Sequence, residues 1–244
     1  MKLLSQVGTF LGLCCLVSVV RAEADAKAQD PVINSIGPDS TLNRDTPTIY
    51  NATKVELSDD LESWVPPLDL QKNFPYYLSG FDEEDQPIWI LEIGKYNFRD
   101  FVIRGKGAQA DLSKYLRQLA YRVRKSRTRH DPKGKTNFIL DFEGLSFPQF
   151  SDISTIAFIL QQATDYSSLL DRALNKAVLV NANYVTEALV SLVRPIFGRI
   201  FANVEIYGTN RSKWLPLMLR QFPQDQLPEY YGGIKGFKPY KIYG

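Results

Sequence analysis

The sequence predicts an α/β fold in which helices cover a β-sheet floor. Three observations point to it. Short apolar runs at 88–93 (IWILEI), 137–142 (NFILDF) and 177–180 (AVLV) lack the polar alternation of a half-exposed strand, so they belong in a sheet covered on both faces. Longer stretches between them have helical spacing, as at Leu112, Tyr115, Leu116, Leu119, Ala120 and Val123. The two kinds of segment alternate along the chain, the order of an α/β layer architecture.

The elements follow in order. A first strand is expected at 75–79, closed by Gly80-Phe81-Asp82, and the acidic turn 82–85 leads through Pro87 into the strand at 88–93. A helix at 112–125 has Asp111 or Ser113 to cap its start and a basic end that complements its dipole. After the strand at 137–142, a helix at 152–166 starts on Ser151 or Asp152. The strand at 177–180 exits through Asn181-Ala182-Asn183 into a helix at 185–201, interrupted or shifted by Pro195. A strand at 204–207 ends in Gly208, and 214–222 is helical or irregular, with a break at Pro223 and a Leu227-Pro228 turn.

The first residues read as a targeting signal. Lys2 is followed by an uncharged apolar run, and Val20-Arg21-Ala22 fits a signal peptidase site, so 1–22 is expected to be a signal peptide cleaved after Ala22. The run is shorter than the ~20 residues that span a bilayer. Both cysteines, Cys14 and Cys15, lie inside it, so a secreted mature chain would be held by its core and not by disulfides. The formal charge of +2 also vanishes: without Lys2 and Arg21, 27 basic residues face 27 acidic ones. The basic pI therefore carries no argument for nucleic acid. Residues 23–65 read as a polar, flexible leader and 66–244 as the folded domain. Sequons at Asn51 and Asn210 fit glycosylation in the secretory route.

Catalytic signals are thin. His130, the only histidine, stands in a charged turn (RTRHDPKGK) and has no cysteine or second histidine to form a metal set with. No nucleophile elbow, P-loop or dinucleotide fingerprint is present. No catalytic residue, metal or cofactor is assigned. Glu92, Asp141 and Glu143 stand at strand ends where paired carboxylates could work, which leaves a hydrolase as a lesser alternative to capping or salt bridging. Arg122, Arg124 and Lys125 open a basic run that reads either as a solvated helix end or as a contact for lipid headgroups or a membrane surface. Weak aromatic interleaving argues against single-stranded nucleic acid. The segment 188–201 is apolar on nearly every side, with Pro195 and Gly198 weakening its middle, and reads as a core helix or as a bendable lid.

Four segments in order resemble the CRAL-TRIO lipid-binding domain: GFDEEDQPIWILEIGKYN, FILDFEGLSF, KAVLVNANYVTEALVSLVRPIFGRIFANVEIYG and the closing QLPEYYGG; the resemblance extends over roughly 74–236. The resemblance implies a mixed sheet forming the floor of an apolar cavity, with a gate helix at 188–201 as its movable wall. Cavity candidates carried over are Leu140, Phe142 and Phe158, and on and before the gate Tyr184, Leu189, Val193, Ile196, Phe197 and Ile200. Two departures stand out: Tyr166-Ser167-Ser168 replaces the family's Tyr-Pro-Glu, and Asn203 stands where a lysine is usual after the gate, which weakens a phosphoinositide reading. The implied function is a secreted, monomeric, non-enzymatic carrier of a hydrophobic small molecule or lipid that meets membranes transiently. The rival is an extracellular protein-interaction module of the same fold with a filled cavity.

Overall fold

A computed structural model describes residues 52–127 and 134–244. The strands are β1 (Tyr76–Phe81), β2 (Pro87–Leu91), β3 (Thr136–Asp141), β4 (Leu174–Ala182), β5 (Val204–Gly208) and β6 (Lys241–Tyr243). The helices are α1 (Asp60–Ser63), α2 (Leu68–Asn73), α3 (Phe98–Ile103), α4 (Lys106–Arg127), α5 (Ile153–Ala173), α6 (Tyr184–Phe197) and α7 (Arg211–Met218). The strand order is β5-β4-β3-β2-β1-β6. Strands β2 to β5 run parallel, and β1 pairs antiparallel with both β2 and β6, giving a mixed sheet.

Register sorts the strand side chains onto two faces. Leu91, Leu140, Leu179 and Ile206 stand side by side across β2, β3, β4 and β5. One residue earlier in each strand, Ile90, Ile139, Val178 and Glu205 form the matching row on the other face. Leu91, Leu140 and Leu179 of the first row join the larger core with residues of α4, α5 and α6, while Ile206 on the edge strand stays outside it. The isoleucines and Val178 join a smaller core with Trp214, Met218, Phe222, Leu227 and Tyr231, which α7 and the chain after it supply.

Several elements differ from the sequence expectation, each for a local reason. The strand at 88–93 stops at Leu91, because the chain turns through a 3-10 segment, Ile93–Lys95, and Gly94 lies against the backbone carbonyl of Glu143 where no Cβ fits. The helix at 112–125 begins earlier, at Lys106, directly after Gly105 at φ +100°. The helix from Asp152 runs past Tyr166 to Ala173, so Tyr166-Ser167-Ser168 is continuous helix. Its cap is Asp152, whose carboxylate accepts from the Thr155 N–H at 3.0 Å. The helix at 185–201 ends at Phe197, with Pro195 inside its last turn; Gly198, at φ +44°, turns the chain into a 3-10 segment, Gly198–Asn203.

The packed fold also begins before residue 66. Leu61 is buried, and the buried Gln118 amide of α4 donates to the Leu61 and Trp64 carbonyls, both at 2.7 Å. These bonds tie the last part of the expected leader across α4. Strand β6 and helices α1, α2 and α3 have no clear periodic signal, being too short to display one.

Candidate functional site

The two faces of β3 differ at adjacent residues. Ile139 is fully buried, and so are its neighbours Ile88, Ile90, Val178 and Val180, all 0% exposed. Leu140, in the same central strand, is only partly buried. Around it Leu91 and Phe138 remain 8% exposed, Phe142 6% and Leu179 5%, and Ile206 at the end of the row is 40% exposed. A side chain in a central strand is shielded by its neighbours on both sides. Exposure at Leu140 therefore reports incomplete cover from the helix layer.

That cover comes from α5 and α6. Phe158 and Ile159 of α5, and Leu189 and Phe197 of α6, are partly buried against the larger core; Val190 and Ile200 are buried in it. Six of the nine cavity candidates thus share one cluster: Leu140, Phe142, Phe158, Leu189, Phe197 and Ile200. Three lie outside it. Tyr184, the first residue of α6, is 67% exposed and points to solvent. Val193 and Ile196 are half-buried but lie outside the cluster. The polar residues fully buried near these helices are spent locally: the Thr155 hydroxyl donates to Asp152 at 2.5 Å, and Thr164 to the Leu160 carbonyl at 2.9 Å.

The two ends of α6 are held differently. Asn183 accepts from the N–H groups of Val185 (2.9 Å) and Thr186 (3.1 Å) and donates to the Leu145 carbonyl at 2.9 Å, which locks the N-terminus to the loop after β3. The C-terminal end has Gly198 and then Arg199, whose guanidinium pairs with Asp171 at the end of α5 (Nε to Oδ1, 2.7 Å). A cleft of about 120 Å³ opens there, lined by Leu170, Asp171, Leu174, Arg199, Ile200 and Asn203.

The carboxylates weighed for hydrolysis carry structural bonds. Asp141 is buried and accepts from the Glu143 N–H (2.9 Å), the Asn181 amide (2.8 Å) and the Tyr231 hydroxyl (2.7 Å). Burial first, then the neighbouring Tyr77 and Asp141, holds the Tyr231 hydroxyl far above its usual pKa, so it stays a donor. Glu143 accepts from Tyr230 at 3.0 Å, and Glu92 pairs with Lys95. This network, which sequence reasoning missed, fastens the closing QLPEYYGG segment to β3. Its only sequence signal was the co-occurrence of an aspartate in FILDFEG with a tyrosine in that segment. His130 lies outside the described residues, as does Asn51. Asn210 is exposed and caps α7, accepting from the Ser212 N–H at 3.1 Å.

The basic residues of α4 are also engaged. Arg122 donates to the Tyr76 hydroxyl at 2.6 Å and lies over the Tyr243 ring, Arg124 donates to the Leu57 carbonyl at 2.7 Å, and Lys125 pairs with Glu62. Arg122 is therefore a tie between α4 and the sheet edge.

With this geometry, the profile of the CRAL/TRIO domain matches residues 71–233, two thirds of the chain and every element from β1 to the closing glycines. The chain belongs to the CRAL/TRIO family. The solved structure of Sfh5 is similar in fold, with a TM-score of 0.52 at 15% identity over 72% of this chain. The match spans 61% of that structure's length. A CRAL/TRIO domain binds or transfers a lipid or another small hydrophobic ligand, and members of the family are generally transfer proteins and not enzymes.

Proposed function

We propose that this CRAL/TRIO domain is a secreted carrier that holds one largely apolar molecule between the helix-facing side of the sheet and α6, with α6 as a movable wall. The observation that carries this reading is Leu140: a central-strand leucine left partly uncovered beside the fully buried Ile139. Apolar surface at such a position is stabilised by a guest, at about 0.8 kcal/mol per buried methylene. The nearby lining is aliphatic and aromatic, with Phe142, Phe158 and Phe197 prominent and the buried threonine hydroxyls already bonded. Such a surface suits a ligand whose buried part is uncharged. The fixed N-terminus of α6 and the glycine at its other end favour opening from the C-terminal end. Secretion rests on the signal pattern at 1–22 and predicts a mature protein beginning at Glu23, which N-terminal sequencing checks.

The deciding experiment is mass spectrometry of organic extracts from the purified native protein. A stoichiometric hydrophobic molecule is expected, and Phe197→Asp should lose it while the fold remains. A protein that is always empty, and whose melting temperature no lipid raises, would be an interaction module of the same fold.

A further inference from the structure

The segment after the closing glycines, IKGFKPYKIYG, has a lysine at every third position (Lys235, Lys238, Lys241) and no acidic residue from 230 to 244. Three of its large apolar side chains face outward: Ile234 is 47% exposed, Tyr240 56% and Ile242 60%. The backbone behind them is firmly held. β6 pairs with β1, and the Tyr240 N–H donates to the Ser79 carbonyl at 3.1 Å. The Tyr240 ring meets Phe81 edge-on at 5.6 Å, and Tyr243 stacks on Tyr76 and Trp89. The end of this strip, from Tyr240, is thus fixed along the edge of the sheet, with Lys241 and Ile242 on alternate faces of β6. The fold around it does not bury those apolar groups. None of the three lysines is in an ion pair among the described residues.

The strip continues into the basic end of α4. The Tyr243 ring lies 3.9 Å from the Arg122 guanidinium and 5.3 Å from the Lys241 ammonium. Glu62, which holds Lys125, also feels the charge of Lys241. Lys241 therefore stands beside the cations at the end of α4, Arg122 and Lys125. Glu62 and Asp59 beside them are already bonded, to Lys125 and Tyr121. Beyond Phe81 lies the acidic turn. Asp82 there is held by Asn137 at 2.7 Å and Glu84 by Gln86 at 2.8 Å, while Glu83 and Asp85 are exposed and bound the strip on that side.

We infer that this strip docks on a bilayer surface carrying anionic phospholipids. The tail lysines meet the phosphates, Ile234, Tyr240 and Ile242 enter the headgroup boundary, and the α4 cations add their field from behind. The edge formed by β1 and β6 is opposite the β5 edge beside α6, so this surface is distinct from the proposed ligand site. Its test can fail while the carrier reading stands.

The test is flotation of the purified full chain with phosphatidylcholine vesicles, with and without phosphatidylserine, over a range of salt. Binding is expected only with phosphatidylserine and should weaken as salt rises. Lys235→Gln/Lys238→Gln/Lys241→Gln should weaken it about a hundredfold at unchanged melting temperature. Ile234→Ser/Tyr240→Ser should weaken it at unchanged charge. Glu83→Gln/Asp85→Asn should strengthen it, and decides alone if the lysine variant does not fold. Equal binding to neutral vesicles, no binding to either, or indifference to the lysine and acid variants would overturn the proposal.

Discussion

The two faces of this sheet are built from alternate residues of the same strands, yet they pack to different ends. One face is sealed at its centre: Ile88, Ile90, Ile139 and Val178, each 0% exposed, lie under Trp214, Met218, Phe222 and Leu227. Its cover is a short segment fixed by specific contacts. Tyr231 bonds the buried Asp141, and Gly233 lies so close to the Leu227 carbonyl that no side chain fits there. The other face is larger and more aromatic, but its cover leaves the central-strand Leu140 partly open. Two long helices roof it, and α6 is tied firmly at only one end. Burial against a pinned lid stabilises the domain. Apolar surface under a loosely held roof is where a guest can replace missing protein contacts.

Adjacent residues allow the sharpest test. Ile139→Ala removes a fully packed side chain and is expected to cost about 4 kcal/mol. Leu140→Ala, one residue on and facing the other way, is expected to cost about 1 kcal/mol in lipid-stripped protein, because part of its surroundings is already open. Urea unfolding of both variants measures the difference. Lipid content should follow the reverse pattern, lost at Leu140 and retained at Ile139. Equal costs would mean that the helix-facing side is as solid as the other.

Much of this division was legible in the sequence. The apolar runs at 88–93, 137–142 and 177–180 announce strands covered on both faces, and the four family-like segments placed the central strand and the helix over it. What stayed hidden depends on phase and distance. Helix spacing brings Leu189 and Phe197 onto the core, but Val193, on the same stripe, lies outside it, because the outcome depends on what stands opposite. Tyr184 reads as apolar lining until the cap at Asn183 turns it outward. The Asp141–Tyr231 bond joins residues 90 positions apart, a separation no local pattern reports.

A smaller effect probes the sealed side. Tyr231→Phe keeps the ring and removes the donor to Asp141, leaving one carboxylate oxygen buried without that partner. A loss of about 2 kcal/mol is expected. The lipid content of the folded protein should not change, since the bond belongs to the lid that has no room beneath it. A loss of ligand with unchanged stability would show that the two faces are coupled through β3.

The smallest effect concerns the loose end of the roof. The hydrogen bond from Arg199 holds the Asp171 carboxyl below its usual pKa; slight desolvation works against this, and the charges of Arg199, Lys135 and Arg172 add to it. A depressed carboxylate stabilises the fold above the unfolded pKa of about 4, and that contribution disappears as pH falls through the lower folded value. The pair is exposed, so the change in global stability should be modest. Its position matters more than its strength, because it fastens the segment after Gly198 to the end of α5. Acidification below about pH 4 should therefore release ligand faster while the far-UV circular dichroism is still native. Asp171→Asn should show the faster release already at neutral pH and lose most of the acid dependence. If wild type and Asp171→Asn release at the same rate across that range, the C-terminal end of α6 is not where the roof opens.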